Sequence, residues 1–478
     1  MLTWGDITST FPELALVVTA LGLLLLETLR EPPRDKLVWV GLAGIVVALV
    51  LEVGFPVYGQ FYSGMIAVGD FSRFLNVIFL VLGGGALLLA VPYLRKTLEE
   101  RGEYYSLVLF ATVGMMFMTK AHDLAITFLG LELLSISLYI LVGFYRNRVS
   151  SNEAGLKYLL LGAFSTGFFL FGAALIYGST GSTHYDAISQ AILNDTHLSA
   201  ALTLTGFGLL LIGFSFKVAL VPFHMYAPDV YEGAPTSISA FLSTGPKVAG
   251  FAALLKLVVV VFAVTTRHWW GAIWVLAALS MTVGNLSALR QDNLKRMLAY
   301  SGVAHAGYLA IGILVGSLES AFGIIYYLAV YGATTLAAFG IVAAIEKENE
   351  AGLEVTDYRG LARRNPVMAA MFALALLSLA GFPPTAGFFG KFFVFSAAVS
   401  EGYIWLVVLA VLNSLVSVYY YLRPVVAMYM ETAEDESPVV LPATLVPVLV
   451  LLVVVALGLG VFPMLLVSNS AVAAGSLF

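Results

Sequence analysis

Apolar runs long enough to cross a lipid bilayer recur along this sequence, and they constrain its fold more than any other feature. Runs of about 20 residues, the length a helix needs to span the hydrocarbon core, fall near 11–29, 37–57, 73–94, 104–119, 123–145, 156–178, 203–221, 236–262, 270–289, 297–316, 320–345, 367–399, 403–430 and 439–463. Only helices and closed barrels satisfy their backbone inside a bilayer. The length of these runs predicts an all-α polytopic membrane protein with about 14 transmembrane helices. Composition agrees: charged residues make up 11% of the chain and hydrophobic ones 60%, against roughly 25% charged in a soluble domain. The 45 glycines suit helices that pack closely in lipid.

The basic residues test this count, because Lys and Arg gather on the cytoplasmic side of membrane proteins. With both termini outside, the cytoplasmic loops hold clusters such as Arg30, Arg34 and Lys36, or Arg359, Arg363 and Arg364, and the external side holds only Arg73, Lys120 and Arg267. Missing one span would scramble that asymmetry. The segment "MLTWGDITSTFPE" has no basic stretch before its first apolar run, so that run is expected to be a retained span. The chain has no cysteine, so iron–sulfur clusters and structural zinc are not expected on it, and any redox chemistry belongs to other chains. The net charge of -5 gives no support for nucleic-acid binding.

Four lysines fall inside predicted spans: Lys217, Lys247, Lys256 and Lys391. Lys256 lies near the outer end of its helix and is expected to reach the interface. The other three sit deep, where a charge costs about 2.5–3.5 kcal/mol on the lenient insertion scale. The one comparably deep carboxylate is Glu132, in "DLAITFLGLELLSISLYILVGFY". A static bridge to one lysine would leave two unexplained; a proton path uses them all. A lysine exchanges protons near neutrality only if its surroundings weaken its hold. At an effective dielectric of about 20, a charge about 4 Å away contributes roughly 4 kcal/mol, about a thousandfold in proton affinity. A carboxylate moving toward or away from Lys217 would switch it between holding and releasing a proton.

Two spans are interrupted. Pro222 breaks the seventh, and Pro383 and Pro384, in "GFPPTAGFFGK", break the twelfth a short way before Lys391. Proline removes a backbone donor and clashes with the preceding turn, and freed backbone groups at membrane depth are tolerated only in protein or beside water. Spans seven and twelve are five apart and so run in opposite directions. The pattern predicts two inverted repeats of five helices: residues 1–102 hold spans one to three, 103–262 the first repeat, 268–430 the second and 431–478 the last span. The residues alone reach a cation or proton transporter.

Four blocks add a resemblance. "FSFKVALVPFHMYAPDVYEGAPTSISAFLSTGPKVAGF" (214–251), "NLKRMLAYSGVAHAGY" (293–308), "LSLAGFPPTAGFFGKFFVF" (377–395) and "SNEAGLKYLLLGAFSTG" (151–167) resemble the proton-conducting, antiporter-like membrane subunits of respiratory complex I, whose relatives occur in multisubunit Na+/H+ antiporters and membrane-bound hydrogenases. Within that family three features resemble the subunit N branch: the 151–167 block, Lys391 where another branch has glutamate, and a chain that stops soon after its fourteenth span.

The resemblance implies proton translocation coupled to electron transfer from NADH to quinone on other subunits. It makes Glu132 the charge partner of Lys217, Lys247 the central relay and Lys391 the terminal residue on the external side. His305 would support the second half-channel. His224 and Lys157 are secondary candidates at the cytoplasmic mouth, His224 equally readable as holding the unwound backbone and Lys157 as a surface pair with Glu153. Asp229 is expected to cap a following short helix. No cofactor or metal is expected on this chain; FMN, iron–sulfur clusters and quinone would sit on partner subunits. The expected partners are the paralogous antiporter-like subunits, small membrane subunits and lipid, in the cell's inner (plasma) membrane. A subunit of a multisubunit Na+/H+ antiporter, or a ferredoxin- or hydrogenase-linked relative, is the alternative. The second half offers no intramembrane carboxylate to match Glu132.

Overall fold

The computed structural model describes residues 3–28, 34–97, 101–194, 200–263, 266–347, 351–433 and 437–478; Arg30 lies outside them. A short helix α1 (Trp4–Thr8) precedes α2 (Phe11–Glu27) and α3 (Arg34–Gly54). A two-stranded antiparallel hairpin, β1 (Gly59–Phe61) and β2 (Ile66–Val68), leads into α4 (Asp70–Thr97). Then follow α5 (Gly102–Lys120), α6 (Leu124–Val142), α7 (Val149–Thr180), the short α8 (Tyr185–Asn194), α9 (Ala200–Val218), the short α10 (Tyr226–Gly233) and α11 (Thr236–Lys256). The second half holds α12 (Thr266–Ala288), α13 (Leu294–Val315), α14 (Leu318–Ile345), α15 (Leu361–Arg364), α16 (Pro366–Ala380), α17 (Ala386–Ser400) and α18 (Ile404–Met430). The chain closes with α19 (Val446–Val453), a π-helical turn, α20 (Leu459–Val461) and α21 (Met464–Gly475).

Among the described residues eleven helical segments are long and apolar enough to cross a membrane. Three more elements join them: α2 at 17 residues, α5 at 19, and α16 with α17 as two halves of one span. The total matches the fourteen runs of the sequence. The hairpin, α8 and α21 were not legible there. Each is short, and α21 docks on α4 and α14 without being long enough to cross.

The spans differ sharply in what surrounds them. About nine-tenths of α11, α13 and α14 is buried, 94%, 89% and 89%, whereas α7 is 28% buried. The three innermost helices therefore have almost no lipid face, and any polar group on them must be satisfied by the protein or by internal water. Glycines let neighbouring helices cross closely. A side chain on Gly114 of α5 would stand 2.7 Å from the Gly130 carbonyl of α6, and one on Gly307 of α13 would stand 2.6 Å from the Met281 nitrogen of α12.

Both breaks fall where the prolines predict. α9 ends at Val218 with Ala219 left-handed (φ 61°), and the Leu220 amide returns to the Ser215 carbonyl at 2.8 Å. Beyond it the Val221 amide donates to Ser280 Oγ on α12 at 2.9 Å, so the unwound segment is tied to α12. α16 ends similarly: Gly381 is left-handed (φ 87°) and the Phe382 amide donates to the Leu377 carbonyl at 3.0 Å. Glycine takes that conformation without strain.

Candidate functional site: a line of buried lysines

Lys217 occupies the last turn of α9 and is 6% exposed; its Nζ donates to Ser135 Oγ on α6 at 2.8 Å. Glu132, one turn before Ser135, turns instead toward α7, where Thr166 Oγ1 donates to its Oε1 at 2.8 Å. The carboxylate acts on the ammonium through space, and no ion pair joins them among the described residues. In this structure the lysine is bonded to α6 and the glutamate to α7.

Lys247 lies midway along α11 and is 2% exposed. Its Nζ donates to the Gly302 carbonyl of α13 at 2.6 Å and stands 5.6 Å above the Tyr331 ring of α14. Gly302 is glycine for a local reason, since a Cβ there would lie 2.6 Å from Lys247 Nζ and 3.1 Å from the Tyr331 hydroxyl. A cation over an aromatic face gains electrostatic stabilisation that grows as water is excluded.

His305 continues the line on α13, 2% exposed. Its ring nitrogens each meet a tyrosine: Nδ1 is 2.6 Å from the Tyr327 hydroxyl and Nε2 is 3.0 Å from that of Tyr421. The ring packs 5.1 Å from Tyr331 on one side and 5.8 Å from Tyr308 on the other. Tyr421 also shares a hydrogen bond with Ser301. Tyr308 accepts from Asn285 Nδ2 at 2.9 Å, and the same amide's oxygen accepts from Tyr420 at 2.9 Å.

Lys391, in the middle of α17, stands 5.1 Å over the Tyr308 ring. Its Nζ donates to the Ala380 carbonyl at 2.8 Å and to Ser414 Oγ on α18 at 2.9 Å. Ala380 is the last residue of α16, so the lysine takes a carbonyl that the helix break sets free. A cavity of about 680 Å³, lined by Phe382, Pro383, Phe392 and Ser414 among others, opens beside it. Lys247, His305 and Lys391 are thus joined through Tyr331 and Tyr308, which carry exchangeable protons, and Lys217 packs beside Gly250 of α11, the helix that carries Lys247.

Beyond the break in α9, Asp229 sits in the first turn of α10. It caps neither α10 nor α11, whose N-caps are Met225 and Pro235. Instead it receives Lys157 Nζ at 2.9 Å and Arg296 Nη1 at 2.9 Å, which corrects the capping expectation. Lys157 also makes the expected pair with Glu153, at 2.7 Å. Burial pushes the Asp229 carboxyl up, but the hydrogen bonds from Lys157 and Arg296 outweigh it and hold it below its ordinary value. His224 lies half-buried in the turn between α9 and α10, its ring 6.5 Å from Tyr300, with Nδ1 buried and lacking a hydrogen-bond partner among the described residues. Lys256 does not reach the interface: it is 6% exposed and donates to the Thr119 carbonyl at the end of α5, at 3.1 Å. A carbonyl left free by a helix terminus replaces the water it was expected to find.

The sequence reading missed the tyrosines and the serine and asparagine hydroxyl and amide partners. The signal for Tyr327 and Tyr331 is their spacing of four in "IIYYLAVYGATTL", which puts both on one helix face. That signal alone does not separate a proton path from a packed aromatic core.

Comparison with known proteins follows this geometry. The family model described as "NADH:quinone oxidoreductase/Mrp antiporter, TM" matches residues 121–417, the stretch that holds the whole line. NADH-quinone oxidoreductase subunit N of Trichlorobacter lovleyi is 48% identical over 428 residues, covering 89% of this chain and 88% of its own. The same-named protein of Salinibacter ruber is 41% identical over 90% of this chain and 88% of its own. A chain in the structure of respiratory complex I from Thermus thermophilus with bound aureothin superposes with a TM-score of 0.81 at 35% identity, over 96% of this chain and 99% of that one. A chain of the Mrp complex from Dietzia sp. DQ12-45-1b shares the fold with a TM-score of 0.87 at 22% identity, over 100% of this chain and 98% of that one. With motifs, fold and relatives in agreement, the chain belongs to the NADH:quinone oxidoreductase/Mrp antiporter family of membrane subunits, in its subunit N branch.

Proposed function

We propose that this chain translocates protons across the membrane, driven by electron transfer from NADH to quinone on other subunits of a complex I. The observation that carries the reading is Lys247: a lysine on a helix with 94% of its span buried, held by one backbone carbonyl and one aromatic face, with no carboxylate paired to it among the described residues. A structural lysine at such depth calls for a salt bridge; one whose use is to gain and lose a proton does not. In this reading Glu132 sets the state of Lys217 by swinging between Thr166 and Ser135. Lys217 passes its proton to Lys247, and the proton moves past Tyr331, His305 and Tyr308 to Lys391. Lys157 and His224 serve the cytoplasmic mouth as secondary members, and Pro222, Pro383 and Pro384 keep the two helices open.

The same reading divides the chain at 1–102, 103–262, 268–430 and 431–478, with spans four to eight and nine to thirteen as inverted repeats. Two matched features support it: each repeat begins with a glycine-crossed helix pair, α5 with α6 and α12 with α13, and each holds one broken helix. Both termini then face outside the cell's plasma membrane. FMN, iron–sulfur clusters and quinone belong to partner chains, and the lateral neighbours are paralogous antiporter-like and small membrane subunits.

The test uses membrane vesicles carrying wild type or Lys217→Ala, fuelled by NADH, with proton uptake and quinone reduction recorded together. The reading expects both to fall in an assembled complex, or uptake per electron to fall alone. No change in either contradicts the relay. If NADH drives nothing in wild type while a sodium gradient moves protons, the chain serves an antiporter instead.

A further inference from the structure

Charged side chains buried away from water must be balanced locally, and the line of lysines is not the only place where this chain buries charge. Where α2, α3, α4 and α5 meet, Glu13, Glu52 and Lys120 are 1%, 5% and 1% exposed. Lys120 Nζ lies 2.6 Å from Glu13 Oε1 and 3.8 Å from Glu52 Oε2, and donates to the Ser9 carbonyl at 3.0 Å. Asn76 Nδ2 of α4 donates to Glu52 Oε2 at 3.2 Å. Neither oxygen of Glu13 has a hydrogen-bond partner among the described residues; Oε1 meets Lys120 as an ion pair, and Oε2 is buried without even that.

Two buried carboxylates here share one buried ammonium, and Glu13 Oε2 is left without a donor. Arg73 acts on Glu52 through space, but from a partly exposed position where water screens it, and its bonds go elsewhere. Arg73 of α4 directs its guanidinium to the Glu52 backbone carbonyl, at 2.9 Å, and to the Tyr58 hydroxyl. Tyr58 donates to Asp70 at 2.9 Å. Lys256 of α11 is committed to the Thr119 carbonyl. Asp6 of α1 accepts from Thr3 and from the Tyr62 amide of the hairpin turn, and His122 pairs with Asp186 at 3.0 Å. No group of three His, Cys, Asp or Glu able to hold a metal ion occurs among the described residues. What such a pair of carboxyls takes up is a proton, which removes the excess charge and supplies the missing donor.

We propose that Glu13 and Glu52 hold one exchangeable proton between them, forming a further proton site on the three leading spans. A cleft of about 190 Å³ beside Glu52, lined by Asp70, Arg73 and Asn469 among others, gives it an outlet. On the inner side the site is wired to α11: Thr119 Oγ1 donates to Asn76 Oδ1 at 3.2 Å, and the Thr119 carbonyl receives Lys256. Lys256 follows Lys247 by nine residues, about 13 Å along the helix. The residues between the two lysines are all apolar, so the site stands apart from the central relay and from Lys391. Its use in translocation rests on the proton-translocation reading; the holding of the proton rests on the burial and number of the charges.

Infrared difference spectroscopy of the intact complex, between acidic and alkaline buffer, reads the carbonyl stretch of protonated carboxylic acids. Either Glu13→Gln or Glu52→Gln removes the excess charge and leaves the other carboxylate paired to Lys120. Each single substitution is therefore expected to abolish the same one-carboxyl band. Lys120→Met leaves two carboxylates without an ammonium and is expected to roughly double that band, which keeps the test open if a glutamine variant fails to assemble. A spectrum unchanged in the glutamine variants, or unchanged in Lys120→Met, overturns the proposal and makes the cluster a fixed ion bridge. Protons moved per electron, measured on Lys217→Ala beside these variants, separate the two ideas. Normal translocation there sinks the relay while the infrared band still decides the site.

Discussion

Gly302 shows how tightly the relay is built at the scale of one residue. Its carbonyl is the hydrogen-bond acceptor of Lys247, and its missing side chain is what lets the ammonium approach. Gly302→Ala is expected to displace the lysine and lower proton translocation severalfold in a complex that still assembles, because the clash is with the far end of a flexible chain. Measuring translocation per electron in that variant checks it. Asp229 allows a pH prediction. Its carboxyl is held below the ordinary 3.8 by Lys157 and Arg296, so its contribution is present above that value and lost as pH falls through the lower, folded one. The stability difference between wild type and Asp229→Asn should stay constant from about pH 8 to about pH 5 and shrink only below about 3.8. High salt should weaken it, since the cluster is partly exposed. Lys217, Lys247 and Lys391 were legible in the sequence because a mid-span charge has a cost that few roles justify. Glu13 and Glu52 were not. They fall at the ends of their runs, where a carboxylate reads as an interface residue, and only the packing of α2 against α3, α4 and α5 buries them.

At the scale of elements, helix crossings set the geometry that the charged residues use. Gly114 and Gly130 bring α5 and α6 together, and backbone atoms on both sides leave nothing flexible to yield. Gly114→Val should therefore lower the thermal stability of the purified complex by more than the 1–3 kcal/mol typical of overpacking, through separation of α5 from α6; a thermal unfolding scan reads this directly. Gly284→Val, at the α12–α13 crossing where a Cβ would stand 2.6 Å from the Ala304 nitrogen, should behave alike. Both helix breaks were readable from their prolines. How the freed groups are satisfied was not, because the Val221 amide finds Ser280 on α12, and the Ala380 carbonyl finds Lys391 folded back from the other half of its own span. Sequence periodicity reports which face of a helix is polar; it does not report which helix that face meets.

For the whole molecule, the absence of cysteine makes topology directly measurable, since any introduced thiol is the only one in the chain. With both termini outside, a cysteine at Thr183 should react with a membrane-impermeant reagent from the external side, and one at Arg363 only from the cytoplasmic side. The reverse pattern would invert the path. The proposed relay uses the innermost helices, α11, α13 and α14, and then α17, so its middle member is the one to test. The most direct measurement is protons moved per electron in vesicles carrying Lys247→Ala, in assembled complex with quinone reduction recorded alongside. The account predicts that translocation falls, alone or together with electron transfer, and that Lys247→Arg, which keeps the charge but does not release its proton, fares no better than alanine. Wild-type translocation in Lys247→Ala would contradict it.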